Sequence, residues 1–183
     1  MRRCIVLFFL FALMASLISG CSQMLRSPHD IPWDGNFVTI SYEIADRLEN
    51  NLRYPIPPDE PILVTSLVNV DQLEESTTIG RMMSEQIASR LSQNGYKVIE
   101  MKLRTKSVYI KRRAGEFLLS RDLKEISNDH QANTVVVGTY GGTRDQLYVS
   151  VRIVRTTDSV IVSSCDACIP VGEAYIYRIF PSR

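Results

Sequence analysis

The sequence contains few of the residues that usually build catalytic or metal centres. Two histidines occur among 183 residues, His29 and His130, and they lie far apart in the chain. Metal sites need clustered ligands at set spacings, so the sequence predicts no metal centre. It also lacks a G-x-S-x-G nucleophile elbow, a P-loop and an H-E-x-x-H motif. We therefore predict a protein without enzymatic activity and without a cofactor.

The sequence also has no large excess of basic or of acidic residues. The chain has 21 basic and 20 acidic residues and a formal net charge of +1. Proteins that bind nucleic acid carry a basic surplus that complements the phosphates. The near balance gives no support for a nucleic-acid partner.

The sequence also has no apolar run long enough for a permanent membrane span. Its longest uncharged, strongly apolar run extends from Cys4 to about Ile18, short of the roughly 20 residues that a spanning helix needs. Arg2 and Arg3 precede this run and the small residues Ser19 and Gly20 follow it. A charged start, a short apolar segment and small residues before a cleavage site are typical of a secretory signal.

The end of this segment, residues 18–21, reads Ile-Ser-Gly-Cys and resembles the lipobox of bacterial lipoproteins. The alternative is an ordinary signal peptide with a chance cysteine nearby. The resemblance implies cleavage before Cys21 and attachment of three acyl chains, palmitate among them, to that cysteine. A single chain anchors only marginally, so three would make a lasting anchor. Ser22, where inner-membrane lipoproteins tend to have Asp, implies the outer membrane, with the protein on its periplasmic side.

The chain divides into three parts on this interpretation. Residues 1–20 are a signal peptide, residues 21–36 a lipidated tether, and residues 37–183 a single domain. Removal of the signal leaves 163 of the 183 residues, enough for one packed core. The tether is polar and broken by prolines and a glycine, and at full extension it reaches about 50 Å.

Apolar periodicity predicts three helices in the domain. The first carries a stripe from Phe37 to Leu52, is capped by Asn36 or Asp34, and cannot pass Pro55. The second starts at Thr77 or Thr78 and ends before Gly95. The third starts after Ser120.

Five segments predict strands. The first, residues 62–68, is uncharged and rich in branched residues, which favours a central strand buried on both faces. The order of elements predicts an α/β domain with a mixed sheet of about five strands, parallel at first and ending in an antiparallel meander. The apolar tail, residues 175–180, fits either a final strand or a contact surface. The remaining predicted strands are residues 96–103, 134–140, 146–155 and 160–164.

Residues 97–113 contain seven basic side chains and one acidic one. The preferred interpretation is a solvated strand edge with its loop, because lysines discourage pairing between sheet edges. The alternative is a patch for an anionic surface or an acidic partner, centred on Lys111, Arg112 and Arg113.

Residues 165–168 read Cys-Asp-Ala-Cys and form the one local motif with redox meaning. A reactive C-x-x-C usually stands at the start of a helix, where the thiol pKa is lowered, and here it follows a strand. In an oxidising compartment we first expect a structural disulfide between Cys165 and Cys168. Free buried thiols are the next alternative, and redox catalysis is the last.

Several stretches resemble the FlgO family of flagellar assembly lipoproteins. The resemblance spans roughly residues 37–165, and the fold is similar to those of the TolB amino-terminal domain, CsgG and LpoB. It implies an outer-membrane lipoprotein without enzymatic activity, needed for flagellar assembly or stability and hence for motility. Its implied partners are basal-body or other envelope proteins, and self-association stays open. The matching stretches are residues 63–70, 79–81, 88–91, 119–123 and 136–140.

Three other functions compete with this one. An activator or scaffold for cell-wall synthesis, like LpoB, would need a tether longer than about 15 residues to cross the peptidoglycan. A redox protein or enzyme would need the catalytic residues that the sequence lacks. A secretion-channel subunit like CsgG would need long amphipathic strands, which the sequence does not predict.

Overall fold

The computed structural model describes residues 35–101, 110–113, 116–119 and 127–180. Residues 31–183 belong to one compact unit. The helices with described bounds are α1 (Phe37–Asn50), α2 (Thr78–Gln93) and α3 (Glu173–Ile179), and residues 127–129 are also helical. The described strands are β1 (Ile62–Thr65), β2 (Val68–Asn69), β3 (Val98–Met101), β4 (Ile110–Arg113), β5 (Glu116–Leu119), β6 (Thr134–Gly142), β7 (Gln146–Arg155) and β8 (Ile161–Pro170).

Six of these strands form one mixed sheet. Its order is β3-β1-β6-β7-β8, with β2 also paired to β6. The pairs β1–β3, β1–β6 and β2–β6 are parallel, and β6–β7 and β7–β8 are antiparallel. The predicted α/β class and its antiparallel end are therefore confirmed. The sixth strand arises because the predicted segment 62–68 is interrupted at Ser66 and Leu67.

The capping residue, the apolar stripe and the terminating glycine that the sequence predicted are found at the expected places in α1 and α2. The Asn36 side chain accepts a hydrogen bond from the Val38 amide (2.9 Å) and caps α1. Ile40, Ile44 and Leu48 are fully buried along one face of that helix. Gly95, with a φ of +95°, follows the end of α2, in the left-handed conformation that glycine adopts without steric cost.

The three helices contribute to one large core on what we call the inner face of the sheet. This core includes Ile44 of α1, Ile87 of α2 and Phe180 at the end of α3, together with Val136 and Val151 of the sheet. A smaller cluster lies on the opposite, outer face. Its buried members are Leu63, Val68, Ala132, Val135, Val137 and Val154.

The structure corrects two predictions near the chain end. The tail, for which the sequence left a final strand and a contact surface both open, forms the helix α3, in which Ile176, Ile179 and Phe180 recur at helical spacing and are buried. Strand β8 continues to Pro170, beyond the predicted end at residue 164. The predicted third helix lies largely outside the described residues.

Candidate docking surface

The outer face of β6 and β7 contains a shallow depression with apolar walls. Val70 and Tyr148 stand at its sides, and they are 41% and 46% exposed. Between them Gly141 pairs with Tyr148 across the ladder, and a Cβ at position 141 would lie 2.7 Å from Cγ1 of Val70. The Val70 side chain therefore packs directly over the Gly141 backbone. The space, which we call the outer depression, measures about 320 Å³ and is lined by Val70, Thr139, Tyr140, Gly141, Gly142, Tyr148 and Ser150.

Backbone hydrogen bonds fix the loop that carries Val70. The Val70 amide donates to the Tyr140 carbonyl oxygen (2.9 Å), which ties the loop to β6. The Asn69 amide donates to the Glu75 carbonyl oxygen (2.9 Å) and closes the loop on itself. The Asn69 side chain accepts from the Asp71 amide (3.0 Å), as in an Asx turn. The loop that follows β2 therefore has a fixed path.

The buried side chain of Tyr140 fixes the other end of the same loop. Its hydroxyl accepts from the Thr77 amide (2.7 Å) and donates to Thr77 Oγ1 (2.9 Å). Thr77 precedes α2 and makes no cap bond with its own side chain, so the tyrosine hydroxyl satisfies an otherwise orphan helix N–H. Gly80 allows this close packing, since a Cβ there would lie 2.4 Å from the Leu67 carbonyl oxygen.

Helices α1 and α2 begin at the same end of the sheet as the outer depression. Ser41 of α1 bonds to Gln86 of α2 (2.8 Å), and further along Asp46 bonds to Arg90 (2.7 Å). The residue numbers of the bonded pairs increase along both helices, from 41 to 46 in α1 and from 86 to 90 in α2. The two helices therefore run parallel. Because α2 begins beside Tyr140, α1 also begins at the end of the sheet where the depression opens.

The depression has a polar and acidic border. The Tyr148 hydroxyl donates to the Gln146 side chain (2.6 Å), and Ser150 Oγ donates to Asp166. The neighbouring Cys168 thiol and, to a lesser extent, the Asp145 carboxylate raise the pKa of Tyr148. Asp145 and Asp166 are both exposed. The outer depression can hold an apolar side chain against Val70 and Tyr148. The exposed carboxylates at its border can attract positive charge.

Sequence reasoning did not find this surface. The strand predicted over residues 134–140 continues through Gly141 and Gly142 in β6, and the turn follows at residues 143–145. Tyr148 lies at an outward position of an alternating strand. An exposed tyrosine opposite a glycine was the signal that could have indicated it.

The predicted disulfide is wrong for this structure, in which Cys165 and Cys168 are free. Both lie within β8, and residues three apart on a strand point to opposite faces. Cys165 faces the inner core, whereas Cys168 is half-buried opposite Tyr148. Burial raises the pKa of the Cys165 thiol to about 11, which keeps it protonated and unreactive.

The three basic residues of the predicted patch belong to a different sheet from the depression. Lys111, Arg112 and Arg113 lie on β4, which pairs with β5 in a separate two-stranded sheet. Cys21 lies outside the described residues. Within the described ranges no group of three or more His, Cys, Asp or Glu side chains could hold a metal ion. In that same part of the chain, none of the helices has the length and apolar character needed to cross a membrane.

The described part of the chain is a mixed α/β domain with a partly apolar depression on the outer face of its sheet. The model of the family described as FlgO protein matches residues 42–174. The chain belongs to the FlgO family, as its sequence predicted. Among curated proteins none matches the sequence.

Solved structures give more distant similarities. The LpoB C-terminal domain from Salmonella enterica is 14% identical, with 70% of this chain and 94% of that chain covered and a TM-score of 0.49. The PelC dodecamer from Paraburkholderia phytofirmans is 14% identical, with 63% and 74% covered and a TM-score of 0.43. Lipoprotein GNA1162 from Neisseria meningitidis is 19% identical, with 62% and 82% covered and a TM-score of 0.40. At these values the similarities carry no conclusion about what this chain binds.

Proposed function

We propose that this protein is an outer-membrane lipoprotein that acts as a non-catalytic assembly or stabilising factor of the flagellum and is needed for motility. The observation that carries this proposal is the FlgO family match over residues 42–174. The lipobox-like segment that ends at Cys21 adds the anchor and the periplasmic location.

The outer depression supplies the docking site in this proposal. Aromatic side chains with a polar tip are common at the centres of protein interfaces, and Tyr148 has this character beside the apolar Val70. We assign as its occupant a segment of a basal-body protein that packs one apolar side chain against Val70 and Tyr148. The fixed loop and the paired strands hold the surface ready, so little ordering is needed on binding.

Swimming tests the proposal most directly. Deletion of the gene should abolish or strongly reduce swimming, and the wild-type gene should restore it. A Gly141→Leu variant puts a side chain where Val70 now packs and should displace Val70 from the wall of the depression. It should fail to restore swimming while the protein still accumulates in the envelope. Normal swimming in the deletion strain would refute the flagellar function, and a cell-wall defect in its place would favour the LpoB-like alternative.

A matched pair of tyrosines separates docking from general surface change. Tyr148→Glu should reduce swimming, because it places a carboxylate in the depression. Tyr54→Glu alters a tyrosine that is 68% exposed and is not among the residues that line the depression, and it should leave swimming intact. Equal effects of the two substitutions would remove the depression from the proposal without touching the family assignment.

The anchor has its own test. Labelled palmitate should enter the wild-type protein and not a Cys21→Ala variant. Equal labelling of the two, or a soluble wild-type protein that retains residues 1–20, would contradict the lipoprotein assignment.

A further inference from the structure

The last strand of the sheet has an edge that is half closed and half open. At the start of β8 the Arg53 amide donates to the Val162 carbonyl oxygen (3.1 Å). The Asn51 side chain donates to the Ser164 carbonyl oxygen (3.1 Å). The residues that follow α1 therefore close the first part of this edge.

The second part of the edge has no backbone partner among the described residues. The Ser164 carbonyl faces away from β7, and the direction repeats every second residue along an antiparallel strand. The backbone groups of Asp166 and Cys168 face outward in the same way, and no described residue forms a hydrogen bond with them. Pro170 then ends β8. A free edge of this kind is a template for another extended chain.

The charged residues near the open edge determine which kind of extended segment can pair with it. Asp166 is exposed on this stretch of β8, and Asp145 is exposed at the neighbouring turn. Like charges placed opposite each other on paired strands are unfavourable, and opposite charges are favourable. The edge therefore suits an extended segment that is cationic.

We propose that strand β4 of a second copy of this chain pairs with the open half of the β8 edge. Strand β4 is extended and contains Lys111, Arg112 and Arg113 in succession, so the segment is strongly basic. Within the described residues β5 is its one strand partner, so β4 also has an edge to offer. Its four residues match the length of the open half-edge.

This pairing joins two different surfaces of the same chain. Such contacts are head-to-tail, and they generate closed rings or open filaments. Each copy would use its basic β4 on one neighbour and its acidic β8 edge on the other. Because exposed charges contribute to the contact, high salt should weaken it. The pairing does not depend on a flagellar function.

Cysteine cross-linking in the envelope tests the strand contact with the full chain. Lys111→Cys, Arg112→Cys and Arg113→Cys variants supply one thiol each, and Cys168 supplies the other. Mild oxidation should give cross-linked dimers at alternate positions, since only every second residue of β4 faces the Cys168 side. The dimers should disappear in a Cys168→Ser background.

Three outcomes of this scan would overturn the proposal. They are no dimer at any of the three positions, equal yields at all three, and a cross-link from Cys168 to a different protein. An Asp59→Cys variant, at an exposed position away from β8, should give no specific dimer.

A charge exchange provides an independent test that leaves the thiols unchanged. With the purified full-length protein, Asp166→Lys should weaken self-association by about tenfold or more, because repulsion replaces attraction. The matched Asp59→Lys variant should associate like the wild type. Arg112→Glu added to Asp166→Lys should restore much of the loss. A double variant as weak as Asp166→Lys alone would refute the pairing.

Discussion

The two halves of the sheet differ in what covers them. Strand β1, in the parallel half, is buried at all four positions, as parallel strands covered on both faces usually are. Strand β7, in the antiparallel half, buries Leu147, Val149, Val151 and Ile153, while Tyr148 is exposed and Ser150 half-exposed. β6 belongs to both halves. One sheet therefore holds a closed half that stabilises the domain and an open half that is available for recognition.

Truncation in the closed half should have the largest effect on stability. Leu63 is fully buried in the outer cluster. Leu63→Ala removes its packing and leaves a cavity, so the free energy of unfolding should fall by about 2–5 kcal/mol. Denaturant titration followed by circular dichroism measures the change. A loss of less than about 1 kcal/mol would mean that the outer cluster is loosely packed and that the two halves are alike.

The tyrosine that connects the halves should have the next largest effect. Tyr140→Phe keeps the ring and removes the hydroxyl that bonds to Thr77. An amide left without a partner in a half-buried site costs about 1–3 kcal/mol, so the unfolding midpoint should fall. Amide hydrogen exchange at Thr77 should become faster, whereas exchange at the middle of β7 should change little.

The ion pair on the inner helices should have a smaller, pH-dependent effect. The side-chain hydrogen bond from Arg90 is the main cause that lowers the pKa of Asp46. A lowered folded pKa gives stability that is present above the unfolded pKa, near 3.8, and is lost as the pH falls through the folded pKa. Asp46→Asn should cost about 0.2–1 kcal/mol at neutral pH.

The same loss should shrink as the solution is acidified below pH 4. Thermal unfolding of the wild type and of Asp46→Asn across this range measures it. A difference that is independent of pH would show that Asp46 acts through packing and not through its charge. The exposed Asp59 provides the control substitution, Asp59→Asn.

The open half should give the smallest change in stability. Tyr148 is 46% exposed, and Tyr148→Ala should alter the free energy of unfolding by no more than about 0.5 kcal/mol. The same substitution should reduce swimming in the complementation assay. A large loss of stability would show that the open half carries part of the core, and would end the contrast between the halves.

Local signals predicted the two long helices and the first buried strand well. The stripe on α1, the Asn36 cap and the stop at Gly95 all depend on neighbours within a few residues, which a single sequence displays. The branched, uncharged segment 62–68 correctly indicated a central strand. Its interruption at Ser66 and Leu67 was not predicted, because it depends on packing against Gly80 and Gly138, which are distant in sequence.

The open half was harder to predict, for two physical reasons. Residues 165–168 were interpreted as a thiol motif, although their alternating burial places them in a strand. The outer depression needs the Val70 loop, a glycine of β6 and a tyrosine of β7 to meet, and only the register of the ladder shows that they do. No local pattern encodes that meeting.

Helices α1 and α2 run parallel and begin at the same end of the sheet, and this has a mechanical consequence. Asn36 caps α1, and the proposed anchor at Cys21 precedes this helix in the chain, so tension on the anchor would reach α1 from its N-terminal side. Ile40, Ile44 and Leu48, all fully buried, would carry that load into the core. The domain could therefore transmit pulling force between membrane and partner without unfolding from its free end.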